Sequence, residues 1–132
     1  NFDRQILHVR KGKNHKERFV PFNKTNSQIL QEYIYDHRSF FLNAKQNNAL
    51  FLGVGGHRLQ GQSLAMRLKL LIQKTDDIEL QQQDTSLHTL MHSIATHLLS
   101  AGMPLENISK FLGHGSLEST QMYTHLIESN DL

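Results

Sequence analysis

The sequence contains no cysteine, so disulfide stapling and thiol chemistry are both excluded. It has no apolar run approaching the roughly 18 residues that span a bilayer, and no stretch with the pattern of a secretory leader. Internal repeats are lacking, and the one biased tract, QQQ at 81–83, is too short to interpret. These absences set the expectation of a cytoplasmic protein with no membrane partner. A strong net charge is missing as well, since 14 Lys and Arg face 12 Asp and Glu for a balance of +2. What remains is a chain of globular composition, 38% hydrophobic and 20% charged, whose 132 residues suffice for one core and are too few for two domains of usual size. A single domain over 1–132 is therefore expected.

The distribution of charge is more informative than its sum. Arg4, Arg10, Lys11, Lys13, Lys16 and Arg18 fall in the first 18 positions, opposed there by Asp3 and Glu17. Such a patch is an electrostatic footprint for a polyanion, and equally a solvated basic turn if it stood alone. Around it, Gln5 to Val9 and Arg18 to Phe22 read as short strands separated by RKGKNHKER, a hairpin with a long polar loop that carries its lysines away from the fold.

Beyond the hairpin the periods become helical. Ile29, Leu30, Tyr33 and Ile34 predict a helix from about Ser27 to His37, with Asn26 or Ser27 as its cap. Ala49 to Leu52 predicts a third strand, GVGGHR a loop, and Ser63 to Lys74 a mostly buried helix carrying Leu64, Met66, Leu68, Leu70, Leu71 and Ile72. TDDIELQQQD reads as a connector. Leu87 to Ser100 then predicts a helix that turns Leu90, Ile94 and Leu98 to a core, with Gly102 ending it and Pro104 opening the next. Leu105, Ile108, Phe111 and Leu112 form one apolar face of that short helix, Gly113 and Gly115 break it around His114, and Ser116 caps a last helix with Leu117, Met122 and Leu126. The sum is an α+β fold, mainly α, with a small N-terminal antiparallel hairpin or three-stranded sheet on a helical bundle.

Candidate chemistry rests on Lys13, His88, Met91, His92 with His97, His114 and Tyr123. Taken singly each has an ordinary explanation: His88 begins a helix, His114 sits in a turn, and Tyr123 marks an amphipathic edge. Metal binding is disfavoured. His88 and His92 share a helix face, but no Glu completes an HExxH pattern and no cysteine is available as a third ligand. His97, nine residues beyond His88, faces nearly the opposite way.

Jointly the features are sharper. A basic hairpin containing GK, then HTLMHSIATHLL, then a helix ending in FLGH, then a tyrosine nine residues after that histidine, resembles the catalytic domain of the tyrosine recombinases, the phage integrase family. The resemblance runs through ILHVRKGKNHKERFVPF, ALFLGVGG and HTLMHSIATHLLSAGMPLENISKFLGHGSLESTQMYTHL, nearly the whole chain. It implies that Tyr123 attacks a DNA phosphodiester, forming a 3′-phosphotyrosyl link and freeing a 5′ hydroxyl; a second hydroxyl later reseals the strand. Such a link conserves the bond energy, so no metal or nucleotide cofactor is needed. Lys13 matches the general acid for the leaving oxygen, and His88 and His114 match the histidines on the phosphoryl oxygens. Arg10, Lys11, Lys16 and Arg18 are expected on the DNA backbone.

The sequence departs from the family pattern at two places. The second active-site arginine belongs three residues after His88, where Met91 stands, and the first belongs ahead of residue 1, as in an N-terminally truncated catalytic domain. One lost donor to a developing oxyanion costs roughly 2.7 to 4 kcal/mol in other enzymes, so negligible cleavage is expected. His92 does not substitute, because one further residue turns it by about 100°. Met91 has three readings: natural degeneration, engineered inactivation, or a parent that tolerates an incomplete set. Two functions follow for the family resemblance: an integrase domain acting in DNA integration and recombination in a bacterium, phage or mobile element, and a degenerate relative that binds DNA without cutting. A third, a helical protein-interaction domain, predicts no effect on DNA retention when Lys11, Lys13, Lys16 and Arg18 are neutralised. The resemblance implies tetramers on double-stranded DNA, and a monomer for the isolated chain.

Overall fold

The two apolar runs that flank RKGKNHKER pair as an antiparallel hairpin in the computed structural model, which describes residues 1–11 and 16–114. Strand β1 is Ile6–Val9 and β2 is Arg18–Pro21, with Ile6 opposite Pro21, Leu7 opposite Val20, His8 opposite Phe19 and Val9 opposite Arg18. Alternation along β2 leaves Arg18 and Val20 half-buried and Phe19 and Pro21 exposed. On the exposed face His8 stacks on Phe19 at 4.7 Å between ring centroids, and its Nε2 lies 3.3 Å from Glu17 Oε2.

The chain divides into two compact units, one formed by Asn1–Pro21 with the chain from Leu87 onward, the other by Phe22–Ser86. In the first, α4 (Leu87–Ser100) and α5 (Leu105–Leu112) pack through Ala95 and Ile108, both fully buried, with Leu98, Leu99, Met103 and Leu112 around them. Gly102, at φ +90°, ends α4 and Pro104 precedes α5, so the glycine-then-proline punctuation works as the sequence suggests. Leu90 and Ile94 depart from expectation: they are exposed, because the small Ala95 and the last turn of α4 make the contact with α5. The helix expected after Ser116 lies outside the described residues.

The second unit begins with α1 (Lys24–Glu32), which continues as a π-helical turn Tyr33–His37 and a 3₁₀ turn Arg38–Phe40. Its cap is Asn23, whose side chain accepts from the Asn26 amide at 2.8 Å, not Asn26 or Ser27; the helix starts as soon as β2 has ended. Arg38 organises the loop that follows. Its Nε donates to the Leu50 carbonyl at 3.1 Å, Nη1 to Ala44 at 3.1 Å, and Nη2 to Asn47 and Ala49, each at 2.6 Å. The Tyr33 hydroxyl donates to the Leu50 carbonyl and accepts from the Leu52 amide, at 3.1 and 3.2 Å. Ala44, Ala49 and Leu52 are the buried residues held by this network, with Phe41 beside them.

The third strand expected at 49–52 is replaced by an isolated bridge between Leu52 and Arg58, and the described sheet has two strands. The segment closes on itself: the Gly53 amide donates to the His57 carbonyl at 2.8 Å and the Leu59 amide to Phe51 at 2.9 Å. Gly56, at φ +77°, makes this turn possible, since a Cβ there would overlap the Leu42 carbonyl. The helix expected at 63–74 is α2 (Gly61–Gln73), but no residue in it is buried, and Met66 and Leu71 are 66% and 63% exposed. The connector TDDIELQQQD contains a further helix, α3 (Ile78–Gln82), started by Asp77, whose side chain accepts from the Leu80 amide at 2.9 Å. No helix among the described residues is long and apolar enough to cross a membrane.

Candidate nucleic-acid interface

The end of α5 and the base of the hairpin line a half-open cavity of about 400 Å³. His114, Lys110 and Gly113 reach it from α5, and Lys16, Arg18 and Phe19 from the hairpin. Local backbone chemistry fixes the α5 side. Gly113 takes the left-handed conformation at φ +73°, and both its amide and that of His114 donate to the Ser109 carbonyl at 3.0 Å. A helix thus closed turns the chain sharply, and the residue after the glycine is delivered to the rim of the cavity. The carbonyl end of a helix also favours positive charge, which suits Lys110 in the last turn and Arg18 opposite it.

The expected site residues are distributed unevenly around this cavity. His114, Lys16 and Arg18 line it together. Arg10 and Lys11 are exposed where β1 runs into the loop. His88, exposed in the first turn of α4, and Met91, half-buried one turn later, do not line the cavity. Lys13 and Tyr123 lie outside the described residues. Among the described residues, no three His, Cys, Asp or Glu side chains are grouped so that they would hold a metal ion.

Sequence reasoning missed Lys110 and Gly113. The signal for both was present: a lysine one helical turn before His114, and a glycine at the helix end whose lack of a side chain matters for what approaches it. The arrangement is suited to holding an oxyanion, with cations from two separate elements and one carboxylate, Glu17, among the described lining groups.

Comparison with known proteins identifies the family of the chain. The sequence profile of the phage integrase family matches residues 1–130. The tyrosine recombinase XerC of Chlamydia trachomatis serovar L2 is 38% identical over 126 residues, covering 96% of this chain and 38% of the relative. XerC of Pelotomaculum thermopropionicum is 39% identical over 119 residues, 87% of this chain and 38% of that protein. The chain thus spans well under half the length of these relatives. Among solved structures, that of XerA recombinase superposes with a TM-score of 0.79 at 29% identity, over 95% of this chain and 43% of the other. The XerH site-specific recombinase, in a post-cleavage complex with palindromic difH substrate, gives 0.73 at 26% identity, over 92% and 33%.

Proposed function

We propose, from the premise that this chain belongs to the phage integrase family, that its 132 residues work as one tyrosine-recombinase catalytic domain that grips double-stranded DNA by its phosphates. The observation that carries the reading is the cavity in which His114 meets Lys16 and Arg18. In this reading His114 hydrogen-bonds the phosphoryl oxygens from the cavity and His88 does so from the first turn of α4, outside the cavity's lining, while Tyr123 is the nucleophile and Lys13 the acid that protonates the leaving 5′ oxygen. Arg10, Lys11, Lys16 and Arg18 hold the backbone on either side. Members assemble as tetramers on DNA inside a bacterial cell, and the isolated chain is a monomer.

Met91 favours a specific variant of this function, binding with suppressed cleavage. It stands on the same face of α4 as His88, three residues on, and its half-buried thioether donates nothing to an oxyanion. The test is covalent capture. The polypeptide carrying this chain is incubated with a pool of nicked duplexes, as the unaltered form, Met91→Arg and Tyr123→Phe, and complexes that survive denaturation are counted. The expected result is no adduct with the unaltered form and an adduct after Met91→Arg that vanishes when Tyr123→Phe is added. An adduct from the unaltered form would overturn the suppression, and one that persists in Tyr123→Phe would overturn the assignment of the nucleophile.

A further inference from the structure

Arg18 is placed in a way that a general phosphate contact does not require. Its side chain lies directly on Gly113: a Cβ built on that glycine would sit 2.7 Å from Nη1 and 3.0 Å from Cδ and Cζ. Any other residue at 113 would push the guanidinium away, so the left-handed glycine does two jobs, closing α5 and letting a cation rest on the turn that bears His114. The Nε atom of Arg18 is buried and has no hydrogen-bond partner among the described residues. A buried donor on a charged group is costly to leave unsatisfied, so its partner is to be sought in something that visits the site.

The surroundings specify what that visitor is. Lys16, Lys110 and His114 share the cavity with Arg18, and Glu17, the one carboxylate among the described lining residues, has an oxygen 3.3 Å from His8 Nε2. Among the described residues, no carboxylate is bonded to the Nε edge of the guanidinium. An oxyanion presented to that edge would complete the group's hydrogen bonding, and the fork formed by Nε and a terminal nitrogen matches the spacing of two phosphoryl oxygens.

We propose that the cavity between β2 and the end of α5 is a phosphate seat, in which Arg18 donates Nε–H to a phosphodiester oxygen beside His114. The proposal rests on the DNA reading above and extends it: it gives the chain a guanidinium next to His114 that comes from the hairpin, where α4 offers only Met91. Arg18 is then both a ligand of the phosphate and, through its contact with Gly113, a positioning residue for the turn.

The experiment follows the Arg Nε–Hε signals and backbone amides of the full 132-residue chain by ¹H–¹⁵N correlation. The chain is titrated with dimethyl phosphate, then with a short DNA duplex, against chloride at matched ionic strength. Arg18 Nε–Hε and the His114 amide are expected to move saturably with both phosphodiesters and not with chloride. DNA affinity should fall about tenfold in Arg18→Gln, as for loss of one charge-assisted hydrogen bond, and Arg18→Lys, which keeps the charge but has no Nε, should recover less than half of that loss. Full recovery by Arg18→Lys would reduce the site to general charge and overturn the proposal. If DNA is retained while the Arg18 signal stays still, the proposal fails and the DNA reading stands; if DNA is not bound at all, both fail. Because the titration of the unaltered chain needs no substitution, a poorly folded variant does not remove the test.

Discussion

Removing Arg38 should unlock the loop at 41–50 while leaving the hairpin and the α4–α5 pair intact. Its guanidinium holds four backbone carbonyls, of Ala44, Asn47, Ala49 and Leu50, and the two bonds from Nη2 are the short ones at 2.6 Å. Hydrogen bonds to a charged donor contribute about 1.5 to 3 kcal/mol each, and counting the two short ones at the lower figure gives about 3 kcal/mol for Arg38→Met, with water replacing the longer pair. Lysine cannot span the same carbonyls, because one ammonium replaces a planar fork, so Arg38→Lys should lose about 2 kcal/mol. The assay is urea unfolding combined with hydrogen exchange. The amides of Ala49, Leu52 and Gly53 should lose protection together, while those of Ile108 and Leu112 keep theirs. A loss below about 1 kcal/mol in Arg38→Met would refute the idea that this guanidinium organises the unit.

Further outcomes can be checked separately. Gly113→Ala should cost about 1 to 2 kcal/mol in thermal stability from the left-handed backbone alone, and should also displace the Arg18 signal in the correlation spectrum. Gly56→Ala should destabilise the unit of Phe22–Ser86 more than Gly113→Ala does the other, because its Cβ meets the Leu42 backbone and not the end of a flexible side chain; comparative melting decides this. Neutralising Arg10, Lys11 and Lys16 together should flatten the slope of log affinity against log salt by nearly one unit for every phosphate they neutralise, and an unchanged slope in a filter-binding assay would take these residues off the DNA. Tyr33→Phe should weaken protection at Leu52 specifically, since the missing hydroxyl accepts from that amide.

Legibility in the sequence tracked punctuation. The α4–α5 pair was readable because Gly102, Pro104 and Gly113 mark its ends, and backbone preferences of these residues hardly depend on tertiary context. The hairpin was readable because two short β-prone runs flank a polar, charged interval that contains Gly12 and Asn14. The cap at Asn23 was missed since three short polar residues, Asn23, Asn26 and Ser27, compete within one turn, and the end of β2 decides among them. Helix α3 hid in a polar run whose single signal was Asp77. The third strand failed for a different reason: ALFL has the composition of a strand, but Gly56 lets the chain fold back and pair with itself. Exposure on α2 and α4 was not legible, because apolar spacing identifies a face without saying what will cover it. For the site, the family pattern led to His114 and to Arg18 as a backbone contact. The pairing of Arg18 with Gly113 depends on residues 95 positions apart and leaves no local trace.

The register of the hairpin has a consequence for how this protein tolerates insertion and deletion. Side chains on a strand change sides with every residue, so parity decides which one meets α5. A change of length confined to the polar loop leaves Val9 opposite Arg18 and keeps the guanidinium on Gly113. A single residue gained between Phe19 and Val20, with Pro21 still opposite Ile6, would instead put Phe19 opposite Val9 and turn the arginine to the face that carries His8. The pairing of these few residues, and not the number of residues between the strands, thus decides which side chain rests on Gly113.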